Sequence, residues 1–459
     1  MAKQTNTEKL SGLVASTKLA DFSQEAVDVA TNLLFDTVGC MLAGAGQPAT
    51  RIVEEFVAEQ SAGGKGTIIG RKLRASSYFA AMVNGTSAAI LDYDDSTWRM
   101  IGHPSGVVVP AVLALGEDLD VSGAQALEAY MIGYEAIAML SKGTAPALYL
   151  TGRHTTAALG IFGATASCGK LLGLDAKQIE MAFGIAASAS GAVRASHGTM
   201  VKGIHSGSAA AEGMMCALLA KRGFISQPSV FEHVHGFFNA SIKGDWKWED
   251  IGDSWGNPWE LLHPVEGPGI KLFPSGTTSF PAGECALEIQ ARHKPAPDQI
   301  ERIVWKTTPL SMNIARYPIP NDQNEAFYCT PWAIAAALVD GRLGLRQYDD
   351  DKIQDPGIRA VCAKVKVEGH PDMKDAKSPD HVGGELTVYM KNGDVYTHLR
   401  RRPRAYPGAE PITREQLVGK FEENAARALS PAASKAAEAQ LFGIRDLSSV
   451  KKLMANLRP

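Results

Sequence analysis

Residues 23–46, SQEAVDVATNLLFDTVGCMLAGAG, decide how the chain is read. Ser23 offers a side-chain acceptor ahead of a run in which Ala26, Val29, Leu33, Leu34, Val38 and Met41 recur at helical spacing, and Gly44 and Gly46 close it. A capping residue, one apolar stripe and a terminal glycine together predict an amphipathic α-helix. The same pattern returns over 77–91, 107–116, 124–140, 156–172, 176–195 and 206–221. No alternating strand pattern competes with it before about Pro264, which predicts an all-α domain over residues 1–266.

The character changes after Gly267. Ile300, Ile303 and Trp305 alternate with polar residues over 300–308, and 363–367 reads as a second strand. The runs 385–390 and 395–400 flank Lys391-Asn392-Gly393-Asp394; Asn-Gly between two alternating runs is the strongest short hairpin signal. Helical patterns over 282–293 and 331–340 interleave with these strands, so 267–404 is expected to form a smaller α+β domain. Beyond Pro407, Thr413-Arg414-Glu415-Gln416 has the form of a capping box, and Leu417, Phe421 and Ala425 line one face. Residues 405–459 are therefore expected to return and complete the first domain. The fold class is mainly α, and at 459 residues two domains are the natural expectation.

A net charge of −3 supplies no basic field, which argues against nucleic acid as a partner. Cys40, Cys168, Cys216, Cys285, Cys329 and Cys362 are dispersed, without the spacing of a zinc knuckle or an iron–sulfur loop. A reducing, cytoplasmic setting is the expectation. The polar N-terminus MAKQTNTEKLSG lacks the apolar core of a secretory signal. No run is expected to reach the roughly 20 apolar residues of a bilayer span; the nearest, 155–172, is rich in Ala and Gly and carries Lys170. No membrane partner is expected.

Three polar constellations could carry chemistry. Leu91-Asp92-Tyr93-Asp94-Asp95-Ser96-Thr97-Trp98 is followed by His103-Pro104-Ser105-Gly106. Three carboxylates within four residues need a cation, a metal, backbone donors or water. A solvated helix cap and a magnesium-binding motif are both open readings, although no phosphate-cradling glycine loop with a Lys follows. The second group is Gly152-Arg153-His154-Thr155 and the third Lys202-Gly203-Ile204-His205-Ser206-Gly207, each at a helix start. Free N–H groups and the helix dipole favour anions at such ends, so cationic residues converging there make a carboxylate site. A lone His at a helix start is more often structural; it is the set of histidines, lysine and acidic run that points to a site.

Asn84-Gly85, the acidic run 92–95, His103-Pro104-Ser105-Gly106, Gly133-Tyr134-Glu135, His154, Lys202, Lys271-Leu272-Phe273-Pro274 and Lys420-Phe421 together resemble the 2-methylcitrate dehydratase (MmgE/PrpD) family, over roughly residues 10–425. The resemblance implies a large helical domain completed by the C-terminus, a smaller α+β lid, a homodimer, no cofactor and no metal. It implies a hydro-lyase that dehydrates a small polycarboxylate of the 2-methylcitrate type. Epimerases and decarboxylases of iminodisuccinate or cis-aconitate type are the alternatives, with a non-enzymatic helical binding protein as the third. Carried over residue by residue, His154 and His103 would move protons and Asp92 would orient a neighbour. Lys202 would act in catalysis and hold a carboxylate, with Thr97, Ser96, Arg153 and Lys271 as further binding groups. Two positions depart from the pattern. Ala89 stands where the family often has His, and Gly276 stands where the cis-aconitate decarboxylase branch has one.

Overall fold

The computed structural model describes residues 4–60, 63–244, 246–248, 254–314, 317–374 and 380–459. The first three residues of the polar N-terminus lie outside them. The chain is mainly helical and divides into two compact units.

The first unit comprises residues 1–90, 94–263 and 415–459. Its centre is built from α1 (Gln24–Gly44), α2 (Ser77–Ala89), α3 (Ser105–Leu119), α4 (Gly123–Ser141), α5 (Thr155–Leu171) and α6 (Val201–Lys221). Ser23 caps α1, its hydroxyl accepting from Ala26 N–H at 3.2 Å, and every residue from Leu33 to Gly44 is buried. By length and composition the 21-residue α1 could cross a bilayer, contrary to expectation. Most of it is buried against its neighbours, however, and it carries the buried Asp36, as the core helix of a globular unit does. α6 packs on both α2 and α5. Where α2 meets α6 the backbones nearly touch: a Cβ on Gly85 would stand 2.8 Å from Gly207 Cα, and one on Gly207 would stand 2.1 Å from Met82 O. Asn84 beside this crossing accepts from Ile69 N–H at 2.9 Å and donates to Thr67 O at 3.0 Å. The Asn-Gly motif is thus a packing device.

The helix Arg414–Ala425 buries Leu417, Lys420, Phe421, Asn424 and Ala425. The Lys420 ammonium lies 2.6 Å from the Asp36 carboxylate, and the rings of Phe35 and Phe421 are 4.5 Å apart between centroids. The unit is not purely helical, because Gly66–Thr67 pairs antiparallel with Arg74–Ala75.

The second unit comprises residues 91–93 and 264–414. Its sheet is formed by β1 (Ile300–Thr307), β2 (Val365–Gly369), β3 (Gly384–Met390) and β4 (Val395–Arg400), in the order β2-β1-β3-β4. The β2–β1 pair is parallel, and the other two pairs are antiparallel. Gly393, at φ +92°, turns the β3–β4 hairpin, the left-handed conformation that glycine adopts without penalty. Buried and partly exposed residues alternate strictly along β3, as expected for a sheet covered on one face. Helix Phe280–His293 packs on β3 and β4. Trp305 on β1 and Trp332 on helix Thr330–Asp340 are fully buried.

Candidate active site

His154 occupies the N-cap position of α5, yet its ring makes no capping hydrogen bond. Two interactions hold its segment: His154 N–H donates to Ala192 O at 3.3 Å, and Arg194 N–H donates to Gly152 O at 2.8 Å. The imidazole is buried against two others. His197 lies edge-on at 4.8 Å between centroids, and His205 is 5.1 Å away, with the two Nδ1 atoms of His154 and His205 2.9 Å apart. His205 projects from α6 one turn beyond Lys202, and residues three apart share a helix face.

Lys202 is buried in the first turn of α6. A cation there opposes the helix dipole at a cost of about 0.3–1 kcal/mol, and that position favours an anion. His154 meets the same field at the start of α5. Burial pushes the His154 pKa well below the usual imidazole value, and His197, Lys202, His205 and His103 push it further down. His205 is lowered too, by burial and then by Lys202. The cluster therefore combines neutral, basic imidazoles with an ammonium and two helix N-termini. Chemically it is suited to an anion that must also give up or receive a proton.

The acidic run and His-Pro-Ser-Gly form one structure. Asp94 is fully buried, and a Cβ on Gly106 would stand 2.3 Å from its Oδ2, so only glycine leaves room for the carboxylate at the first turn of α3. Ser105 donates to Asp95 Oδ2 at 2.9 Å, and the Tyr130 hydroxyl lies 2.7 Å from Ser105 Oγ. Burial, then the neighbouring Asp94, pushes the Asp95 pKa well above the carboxylate range. His103 Nδ1 is 2.9 Å from Asp95 O and 3.4 Å from Asp94 Oδ1. A carbonyl only accepts, so Nδ1 carries a proton and Nε2 is the basic nitrogen of the neutral ring. The same proton makes Nδ1 unfit to join Asp94 as a metal ligand. Segment 101–103 is tied to the start of α5, because Thr155 donates to Ile101 O at 2.6 Å and His103 N–H donates to Thr156 Oγ1 at 3.1 Å.

The expected residues divide between the units. Within the first, Lys202 and His103 both act electrostatically on His154. Ser96 and Thr97 are buried there, with Thr97 Oγ1 accepting from Arg99 N–H at 3.2 Å. Arg153 is half-buried and joins through its backbone, in a ladder with Val193. Asp92 and Lys271 belong to the second unit. An ammonium has three N–H donors, and Lys271 directs them at Asp92 Oδ1, Asp92 O and Ser275 O, at 2.5, 3.0 and 3.0 Å. Lys271 is thus a clasp on the Asp92 segment, where Asp92 adopts a φ of +48°.

Sequence reasoning singled out the segments holding His205, Ser105 and Asp95 without giving these three residues a role, and it did not single out His197. The Lys-x-x-His spacing at 202–205 was the available signal for His205, since it puts both groups on one face.

The N-terminal domain model of the MmgE/PrpD family matches residues 8–249, and the C-terminal domain model matches residues 273–442. The chain is 27% identical over 444 residues to the cis-aconitate decarboxylase of Mus musculus, covering 94% of this chain and 88% of that one. The Homo sapiens cis-aconitate decarboxylase is 27% identical over 446 residues, with 94% and 90% covered. The 2-methylcitrate dehydratase of Salmonella typhimurium is 26% identical over 444 residues, with 88% and 87% covered. With both halves matched and relatives aligned along nearly the whole chain, this protein belongs to the MmgE/PrpD family, whose members include decarboxylases and dehydratases.

Proposed function

We propose that this protein is a cofactor-independent lyase that eliminates water from a small polycarboxylate of the 2-methylcitrate type. One observation carries the reading: a buried imidazole held neutral, His154, surrounded by His103, His197, His205 and Lys202 at two helix N-termini. Elimination needs a base to remove a proton beside a carboxylate and an acid to protonate the departing hydroxyl. A neutral His154 supplies the base. Lys202 and the helix-end N–H groups hold carboxylates and stabilise the enediolate-like charge as it develops. His103, its tautomer fixed by Asp95 O, is the second proton-transfer group.

Decarboxylation of a cis-aconitate-type acid is the second reading, favoured by the two relatives of that name at 27% identity. Against it stands Gly276, where the decarboxylase branch carries a histidine. Its backbone, at φ −61° and ψ 138°, would accept a side chain, and a Cβ would stand 3.5 Å from the Tyr328 ring. The residue is therefore absent for no steric reason at Cβ. Incubation with 2-methylcitrate, citrate and cis-aconitate, with alkene and carbon dioxide measured separately, tests both readings. Alkene formation from 2-methylcitrate without carbon dioxide is the expected outcome. Rapid carbon dioxide release from cis-aconitate would replace the first reading with the second.

A further inference from the structure

Two imidazole Nδ1 atoms at 2.9 Å cannot both be bare, because their lone pairs would face each other, and cannot both carry hydrogen. One proton lies between them. A neutral ring protonated at Nδ1 has a bare Nε2, and a neutral ring that accepts at Nδ1 must carry hydrogen on Nε2. The His154–His205 pair therefore always presents one basic and one protonated Nε2.

We propose that His205 is a positioning residue for His154: it accepts the Nδ1 proton of His154, fixes Nε2 of His154 as the base, and takes over the charge when that base is used. The inference rests on the lyase reading above. The substrate C–H bond breaks with its electron pair left on carbon, and the proton bonds to Nε2 of His154. The Nδ1 proton of His154 then crosses to Nδ1 of His205, which becomes the imidazolium, while His154 stays neutral with hydrogen on Nε2. The departing hydroxyl takes that Nε2 proton and leaves as water, and the extra proton of His205 returns across the 2.9 Å contact to Nδ1 of His154, so both rings regain their starting state.

The geometry gives this transfer a purpose. A charge left on His154 would sit 3% exposed, at the start of α5 and in the field of Lys202, His197 and His103. His205 is 9% exposed and lies in the second turn of α6. Lys202 acts on both rings, so the gain comes from the smaller burial and from distance to the α5 terminus. The pair titrates as a unit rather than as two independent imidazoles.

Two variants separate holding a tautomer from carrying a proton. In His205→Asn the amide oxygen can still accept from His154 Nδ1 but cannot become a cation. In His205→Ala both roles are lost. Nitrogen-15 NMR of the histidine rings in the ligand-free wild type, which needs no turnover, is expected to show His154 protonated at Nδ1 and bare at Nε2. His205→Asn should keep that tautomer and His205→Ala should lose it. In turnover, His205→Ala is expected to lose about 10²-fold in kcat, the scale of a proton-transfer contribution, with KM within about two-fold. His205→Asn should recover part of the loss but not the acid limb of the pH profile. A His154 ring found protonated at Nε2 would overturn the proposal, as would a His205→Ala variant with wild-type kcat and pH profile. Wild-type His205→Asn kinetics would reduce His205 to a structural acceptor and also overturn it. If the wild type turns over none of the acids offered, the lyase reading fails, and the NMR result alone decides the shared proton.

Discussion

Removing the Lys420 ammonium should be among the most damaging single changes to the stability of this chain. Lys420 and Asp36 lie 2.6 Å apart with side chains 5% and 1% exposed. At an effective dielectric of about 20, two unit charges at that distance attract by about 6 kcal/mol. Each ion also lost several kcal/mol of hydration on burial, so the intact pair is worth little more than a well-packed apolar pair. Taking away one partner has a different effect: the desolvation of Asp36 stays and its attraction to Lys420 goes. Lys420→Met, which keeps the length and apolar volume of the stem, is expected to cost about 3–5 kcal/mol, a large part of a total stability of about 5–15 kcal/mol. Adding Asp36→Leu should return most of that loss, because the uncompensated charge goes with it. Urea unfolding followed by circular dichroism measures both variants, with the slope checked for constancy before midpoints are compared. A Lys420→Met midpoint within about 1 kcal/mol of wild type, or a double variant no more stable than the single one, would refute the reasoning.

Gly106→Ala should keep its fold and KM but lose about 10²-fold in kcat, because the new Cβ would stand 2.3 Å from Asp94 Oδ2 and displace the carboxylate beside His103. Wild-type turnover would show that the position of Asp94 has no part in the chemistry. Burial, and then His197, Lys202, His205 and His103, hold His154 below its ordinary value of 6.5, so the folded state binds fewer protons there than the unfolded chain. The base should accordingly stay neutral, and kcat/KM level, as pH falls through 6.5, while the contribution of this residue to stability declines below that pH. A kcat/KM profile that falls with a midpoint at 6.5 or above would contradict this. Exhaustive chelation should leave turnover unchanged, since the six cysteines are dispersed in sequence and each is a buried free thiol; activity lost to EDTA and restored by one divalent metal would overturn it.

Local signals in the sequence were read well where local physics decides the outcome. The Asn-Gly hairpin spans Gly384–Met390 and Val395–Arg400, and Ser23 caps α1. Boundaries drifted where tertiary packing overrides propensity. α6 starts at Val201 rather than at Ser206, even though Gly203 lies in its first turn, a residue that weakens an isolated helix. There, a Cβ on Gly203 would stand 2.9 Å from Ile90 Cδ1, so glycine serves the packing of the helix. Helix Asn6–Ser16 was missed although Thr5 and Glu8 form a capping box ahead of it. Periodicity also has no means of revealing a parallel pair such as β1–β2, whose strands are joined by a long crossover. In the site, the three-residue spacing puts Lys202 and His205 on one face only once the helix is known to begin at Val201. The approach of His205 to His154, 51 residues away, depends on how α5 and α6 pack and leaves no trace in either segment.

The helix that carries Lys420 has a consequence for the order in which the protein comes into being. Asp36 leaves the ribosome first, and a further 384 residues must be translated before Lys420 follows. At about 5–20 residues per second that interval is roughly 20–80 s. Throughout it, α1 carries a carboxylate destined for burial and an aromatic face, at Phe35, without the partners that Lys420 and Phe421 provide. The N-terminal unit is therefore obliged to wait as an incomplete, sticky intermediate, and its yield in a cell depends on whatever shields that face until helix Arg414–Ala425 arrives.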